Sequence, residues 1–238
     1  AIQSKWGLDR MTMETKITDG QINLRGNFVV RSKPKKADYV LYLNDSKPIA
    51  IVEAKDNKHT VSYGIQQAIT YAQMLDVPFA YSSNGDAFYE HDRLTGQERQ
   101  IDLDKFPSPD ELLARFKAEK GLTPNEIKAI NQPYYTSQTT YSPRYYQRNA
   151  INRTVEAVAQ GKDRLLLVMA TGTGKTRVAI SLTDILMKAI LFTVYSNSRK
   201  ASAMTIWNSW VKQTLSLLSS FLRLQDTCLS LKKAVKSF

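Results

Sequence analysis

A single cysteine, Cys228, leaves the 238-residue chain without any internal disulfide, which fits a soluble protein of a reducing compartment, the cytoplasm. No stretch approaches the roughly 18 uninterrupted apolar residues of a membrane span, and the N-terminal AIQSKWGLDR lacks the apolar core of a signal peptide. Acidic residues are the scarcer charge: 33 basic against 22 acidic side chains give +11. That excess points toward polyanions, or equally toward solubility charge spread over the surface. It is unevenly placed, since after Thr176 nine basic residues face only Asp184 and Asp226. Apolar residues at 42% and charged residues at 23% are close to globular averages, excluding a disordered, collagenous or disulfide-scaffold chain. The length allows two units at most.

Residues 38–43 (DYVLYL) and 48–55 (PIAIVEAK) are β-branched and aromatic runs joined by Asn44, Asp45, Ser46 and Lys47, so the spacing predicts a hairpin with Leu43 opposite Pro48. Both runs are apolar on both faces, as in a sheet covered by helices. Val61, Ile65, Ala68, Ile69, Ala72 and Leu75 recur at helical steps. FAYSS and DAFYEH flank Asn84 and Gly85, a pair that supplies the positive φ of a tight hairpin turn. Ser108-Pro109-Asp110-Glu111 and Thr123-Pro124-Asn125-Glu126 each read as a capping box with proline at the first helical position. Gln132 to Pro143 is polar and linker-like, Arg144 to Gln160 reads as a helix stopped by Gly161, RLLLVM as a buried strand, and Gly174 onward as another helix. The expected organisation is a first domain over 1–131, a linker over 132–143, a second lobe over 144–189 and a basic tail over 190–238.

The hairpin register places Asp38 opposite Glu53. Directly opposed residues have Cβ atoms about 5 Å apart, and like charges there destabilise the pair unless something positive lies between them. A divalent cation meets that need, and Lys55, two residues beyond Glu53, shares its face. Two carboxylates, an ammonium and Mg²⁺ suit phosphodiester hydrolysis, in which the metal polarises the phosphoryl group and lowers the pKa of the attacking water. Three such residues alone are equally an ordinary cross-strand charge cluster.

ADYVLYL, IAIVEAK and the following QAITY together resemble the PD-(D/E)xK nuclease core in the version found in the R (restriction, HsdR) subunits of type I restriction enzymes. SSNGDAFYEHDRLTG and FPSPDELLARF extend the resemblance, which runs from about residue 14 to about residue 187. It implies an α/β fold, a mixed sheet flanked by helices, with Asp38, Glu53 and Lys55 catalytic, Asp38 and Glu53 holding the metal, and Gln67 and Tyr71 as the Gln-x-x-x-Tyr motif. Gln67 and Tyr71 share a helix face, so both can reach one site or both can be surface polar residues. The family has a helix further upstream than Trp6, so a leading helix is expected to be missing. Glu14 is a candidate additional carboxylate. Arg31, Lys33, Lys35 and Lys36 precede Asp38 as a basic cluster that could hold DNA phosphates or form a solvated loop.

After RLLLV comes MATGTGKT, residues 169–176. Strand, glycine-rich loop and helix in that order make a phosphate loop, with Thr171, Gly172, Thr173 and Gly174 wrapping the phosphates of ATP, Lys175 reaching the β and γ phosphates, and Thr176 on Mg²⁺. Met169 stands at the first glycine position, as in motif I of superfamily 2 helicases, which the segment resembles. This implies a partial RecA-like lobe, and Gln147 is similar to the adenine-reading glutamine of such motors, with Arg144 and Tyr145 as helpers.

Beyond Thr176 neither Asp184 nor Asp226 lies in a DExH-like run, and from about Ala189 the sequence turns Ser-, Leu- and Lys-rich and loses the resemblance. The expectation is a truncated motor with an out-of-frame tail, or else a divergent helix pair. In the family the R subunit joins methylation and specificity subunits and uses ATP to move along double-stranded DNA before cutting it. A non-catalytic fragment that binds DNA or docks on the methyltransferase partners is the alternative.

Overall fold

The computed structural model of the chain describes residues 2–18, 22–25, 28–133, 143–162 and 164–197, with backbone alone over 22–25, 28–31 and 190–197. A short helix α1 (Ile2–Trp6) leads into β1 (Met11–Thr18), followed by the two-stranded ribbon β2 (Ile22–Arg25) and β3 (Phe28–Arg31). The hairpin β4 (Lys35–Asn44) and β5 (Lys47–Ala54) comes next, then α2 (Ile65–Leu75), β6 (Phe79–Ser83), β7 (Ala87–Asp92) and β8 (Glu98–Asp102). Helices α3 (Pro109–Lys120), α4 (Pro124–Ile130), α5 (Tyr145–Ala159) and α6 (Lys175–Asn197) complete the described elements.

The main sheet has the order β1-β4-β5-β6-β7-β8. Only β5 and β6 run parallel, joined through α2, and every other neighbouring pair is antiparallel. This is the mixed α/β architecture of the sequence reading. Its central strands are buried on both faces: β5 is buried from Pro48 to Glu53 and β6 throughout. One face packs Leu41, Val52, Phe79 and Tyr81 against Trp6, Phe106, Leu112 and Phe116. The other packs Val40, Ile51 and Ala80 against Ile65, Ala68, Ala72 and Leu75 of α2. Both predicted capping boxes close, Ser108 with Glu111 and Thr123 with Glu126.

The structure corrects four local expectations. At the inner end of the first hairpin Tyr39 pairs with Val52 and Val40 with Ile51, as the register required, but at the outer end Pro48 pairs with Tyr42 rather than Leu43. Asn44 causes this by accepting from the Ser46 backbone N–H at 3.0 Å and the Ser46 hydroxyl at 2.8 Å, which closes the turn on two residues. Pro48, with no N–H to give, then sits at the resulting bulge. Helix α2 starts at Ile65 rather than Val61, because the Gly64 N–H goes to Ser82 Oγ at 3.0 Å instead of back along the chain, and residues 60–63 close as a turn. In the second hairpin only Gly85 takes a positive φ, while Asn84 bonds the Asp86 N–H through its side chain at 3.1 Å, an Asx turn in a longer loop.

The fourth correction is RLLLVM. Residues 164–170 form no strand, and Leu165, Leu166 and Val168 are exposed, Val168 at 85%. Among the described residues no strand lies alongside this segment, so its backbone has no ladder to join. The remaining apolar residues there, Leu167 and Met169, pack with Ile151, Val155, Val178 and Ile185 between α5 and α6.

The described residues up to Ile185 form one compact unit and those from Leu186 belong to another. Within the first unit, α5 is tied to the end of α2 by Arg153 on Asp76 and by Asn149 Nδ2 on the Met74 carbonyl at 2.7 Å. The tail expected over 190–238 falls outside the described residues beyond Asn197. Among the described residues no helix is long and apolar enough to cross a membrane.

Phe106 is the keystone of the first core face, wholly buried with Tyr81 at 4.9 Å and Phe88 at 4.4 Å between ring centroids. Phe106→Ala is expected to cost about 3–5 kcal/mol of unfolding free energy, read as a lower urea midpoint.

Candidate active site

Five side chains converge at the edge where β4, β5 and the start of α2 meet. The hairpin register carries Asp38 to the position facing Glu53, and period-2 alternation turns Glu53 toward α2. Glu53 is fully buried. Asp38 Oδ2 accepts the Ala54 N–H at 2.8 Å, and Glu53 Oε1 accepts the Asp38 N–H at 3.4 Å, so each carboxylate is anchored on the other's strand. Gln67, on the first turn of α2, donates through Nε2 to Glu53 Oε2 at 2.6 Å and accepts from Lys55 Nζ at 3.1 Å. Lys55 Nζ lies 3.6 Å from Glu53 Oε2. Tyr71, one helical turn beyond Gln67, accepts from Gln67 Nε2 at 3.4 Å. All five residues read from the sequence are thus brought together.

The electrostatics are those of a site short of positive charge. Burial, and then the neighbouring Asp38 charge, push the Glu53 carboxyl up to about 7, against the pull of Lys55 and the Asp38 N–H. Burial and the Glu53 charge also raise Tyr71 above the ordinary phenol value. Among the described residues no three or more His, Cys, Asp or Glu gather as a metal cage. Mg²⁺ does not need one: it is commonly held by one or two carboxylates and completes its octahedron with water and phosphate oxygens. The opposed hard oxygens of Asp38 and Glu53 therefore fit a divalent cation.

Other sequence candidates are placed elsewhere. Glu14 has φ of 50° and an exposed side chain paired with Lys36 at 3.3 Å, outside the cluster. Lys33, Lys35 and Lys36 are exposed, and the Arg31 side chain lies outside the described residues.

At the phosphate loop, Gly172 and Gly174 take φ of 80° and 82°, conformations that suit glycine. Helix α6 opens at Lys175, so its free N–H groups face the loop. Lys175 Nζ bonds the loop's own carbonyls, Met169 at 3.3 Å and Ala170 at 3.1 Å. Gln147 is buried, accepting the Arg144 N–H at 3.0 Å and donating to the Thr173 carbonyl at 2.8 Å. Thr171 and Thr176 are exposed beside it. The loop, lysine and glutamine are thus gathered at the start of α6 and bonded to one another.

Residues 4–107 match the family described as the N terminus of the type I restriction enzyme R protein, and residues 140–217 match the res subunit of type III restriction enzymes. The chain is 47% identical over 177 residues to the EcoAI endonuclease subunit of a type I restriction enzyme from Escherichia coli, covering 73% of this chain and 22% of that protein. The chain belongs to the R-subunit family of type I restriction enzymes. A second family member, the EcoKI endonuclease subunit of Escherichia coli strain K12, is 28% identical over 194 residues, covering 61% of this chain and 16% of that one. A solved fragment described as an HsdR subunit from Vibrio vulnificus YJ016 superposes with a TM-score of 0.69 at 42% identity, covering 79% of this chain and 35% of that one. The chain therefore spans about a fifth of the length of the curated R subunits it matches.

Two residues that support this cluster carry no signal in the sequence. Ser82, paired with Glu53 across β5 and β6, receives the Gly64 N–H at 3.0 Å, and Gly64 leaves room for Lys55, whose Cε lies 3.1 Å from where its Cβ would be. Neither carries chemistry of its own, so no motif marked them.

The raised Glu53 gives a pH signature. The folded chain keeps the Glu53 proton up to about pH 7, whereas the unfolded chain releases it near the ordinary carboxyl value of 4.5, so this group's contribution to stability falls as pH rises through that window. Glu53→Gln is expected to stabilise the metal-free protein by about 2 kcal/mol at pH 8, a gain that fades by pH 5 in paired urea melts.

Proposed function

We propose that this chain carries the nuclease domain of a type I restriction enzyme over residues 1–131 and, after a linker at 132–143, the start of an ATP-binding motor lobe over 144–189. The observation that carries the reading is the buried pair of opposed carboxylates, Asp38 and Glu53, with Lys55 and Gln67 bound to the same Glu53 oxygen. The reaction is hydrolysis of phosphodiester bonds in double-stranded DNA.

Asp38 and Glu53 would hold one Mg²⁺, which when bound polarises the phosphoryl group and favours ionisation of the attacking water. Lys55 holds its ammonium beside Glu53 and stabilises charge developing on the phosphoryl oxygens. Gln67 fixes both: its amide N–H₂ orients Glu53 and its carbonyl orients Lys55. Tyr71 backs Gln67 from one turn further along α2. Asp38 is held from the opposite strand by the Ala54 N–H, so neither carboxylate swings freely.

Lys175, Thr176 and the loop from Thr171 to Gly174 take the phosphates of ATP and its Mg²⁺, and Gln147 takes the adenine. Methylation and specificity subunits are the partners that load the protein on DNA in the cytoplasm. The site is tested by plasmid cleavage with Mn²⁺, without ATP or partner subunits. The wild-type chain is expected to nick and linearise the plasmid, and Asp38→Ala to lose at least about a hundredfold in rate; equal rates would contradict the assignment.

A further inference from the structure

Between Lys55 and α2 runs a loop, residues 56–64, whose shape is held from several sides. Asn84 Nδ2 donates to the His59 carbonyl at 3.1 Å, Ser82 Oγ accepts the Gly64 N–H at 3.0 Å, and backbone turns close His59 on Asp56 and Tyr63 on Thr60, each at 3.0 Å. Gly64 has no space for a side chain between Ser82 and Lys55. Despite this anchoring, the two rings of the loop stay out of the core. His59 and Tyr63 stack with centroids 4.0 Å apart and planes 12° from parallel, and Tyr63 remains 61% exposed.

An exposed tyrosine is ordinary by itself. This one is stacked on a second ring, fixed by a loop pinned to the same β6 serine that faces Glu53, and adjoins the glycine packed on Lys55. Lys58 stands in the same loop, 3.9 Å from Asp56 and largely exposed. An exposed aromatic stack in a loop that also carries an exposed ammonium is a surface that the backbone of a duplex can use: the ring packs on a sugar, and the lysine meets a phosphate.

We propose that the His59–Tyr63 stack is the platform on which a nucleotide of the DNA substrate rests beside the nuclease site, Tyr63 being a positioning residue and Lys58 a phosphate contact. This rests on the nuclease reading above. The stack sets where the strand lies relative to Lys55 and touches none of the reacting atoms. His59 backs the Tyr63 ring and limits its rotation.

The test is cleavage of a duplex oligonucleotide by the full 238-residue chain with Mn²⁺, resolved into KM and kcat, together with binding of the same duplex in Ca²⁺ by fluorescence anisotropy. Tyr63→Ala is expected to raise KM and the dissociation constant about tenfold with little change in kcat, His59→Ala to shift them the same way by less, and Tyr63→Phe to recover wild-type values. Unchanged KM and binding in Tyr63→Ala, with wild-type cleavage intact, would overturn the platform and leave the nuclease reading standing. Equal losses in Tyr63→Phe and Tyr63→Ala would also overturn it, since ring packing needs no hydroxyl. A wild-type chain that neither cuts nor binds the duplex would overturn both.

Discussion

Two carboxylates facing each other across the first hairpin set the terms for everything around them. At about 5 Å and an effective dielectric near 20, their repulsion is about 3 kcal/mol, and Glu53 is fully buried. The fold offsets this with an ammonium just past the end of β5, an amide from α2 and one backbone N–H for each carboxylate. The offset is incomplete: burial first, and the Asp38 charge second, still push the Glu53 carboxyl up to about 7. On the nuclease reading proposed above, a divalent cation would supply the missing positive charge and let Glu53 ionise.

The sheet topology makes the arrangement possible. The one parallel step, β5 to β6, needs a crossover helix, and that helix is α2, which brings Gln67 and Tyr71 over the strand bearing Glu53 and over Lys55 just past its end. The same crossover creates the 56–64 loop, so the proposed catalytic cluster and the proposed aromatic platform come from one connection. Apolar burial on both faces then fixes the hairpin register, because a one-residue slip would carry Val40 and Ile51 to the wrong face along with Asp38 and Glu53.

The parts of this fold visible in the sequence are those with strong periodicity or punctuation. β4, β5, β6 and α2 carry dense apolar patterns, and the Ser108 and Thr123 caps announce their helices. β1 and β8 were not legible because they bury almost nothing: Ile17 is the one buried residue of β1 and Ile101 that of β8. An edge strand of polar residues has no alternation to read. RLLLVM failed in the opposite sense, since it has the composition of a buried strand and no described neighbour to pair with. The outer turn of the first hairpin failed because an Asn side chain and a proline decided the last pair, not hydrophobicity. The candidate site was more legible than the fold, since Asp38, Glu53, Lys55, Gln67 and Tyr71 all meet. Its supports, Gly64 and Ser82, are visible only as packing.

The central claim is that Asp38 and Glu53 form one cation site. Calorimetric titration of Mn²⁺ into the chain at pH 7.5, compared between wild type and Asp38→Asn, tests it most directly. Saturable binding by the wild type that is lost in the variant is expected; an isotherm unchanged by the substitution would contradict the shared cation site.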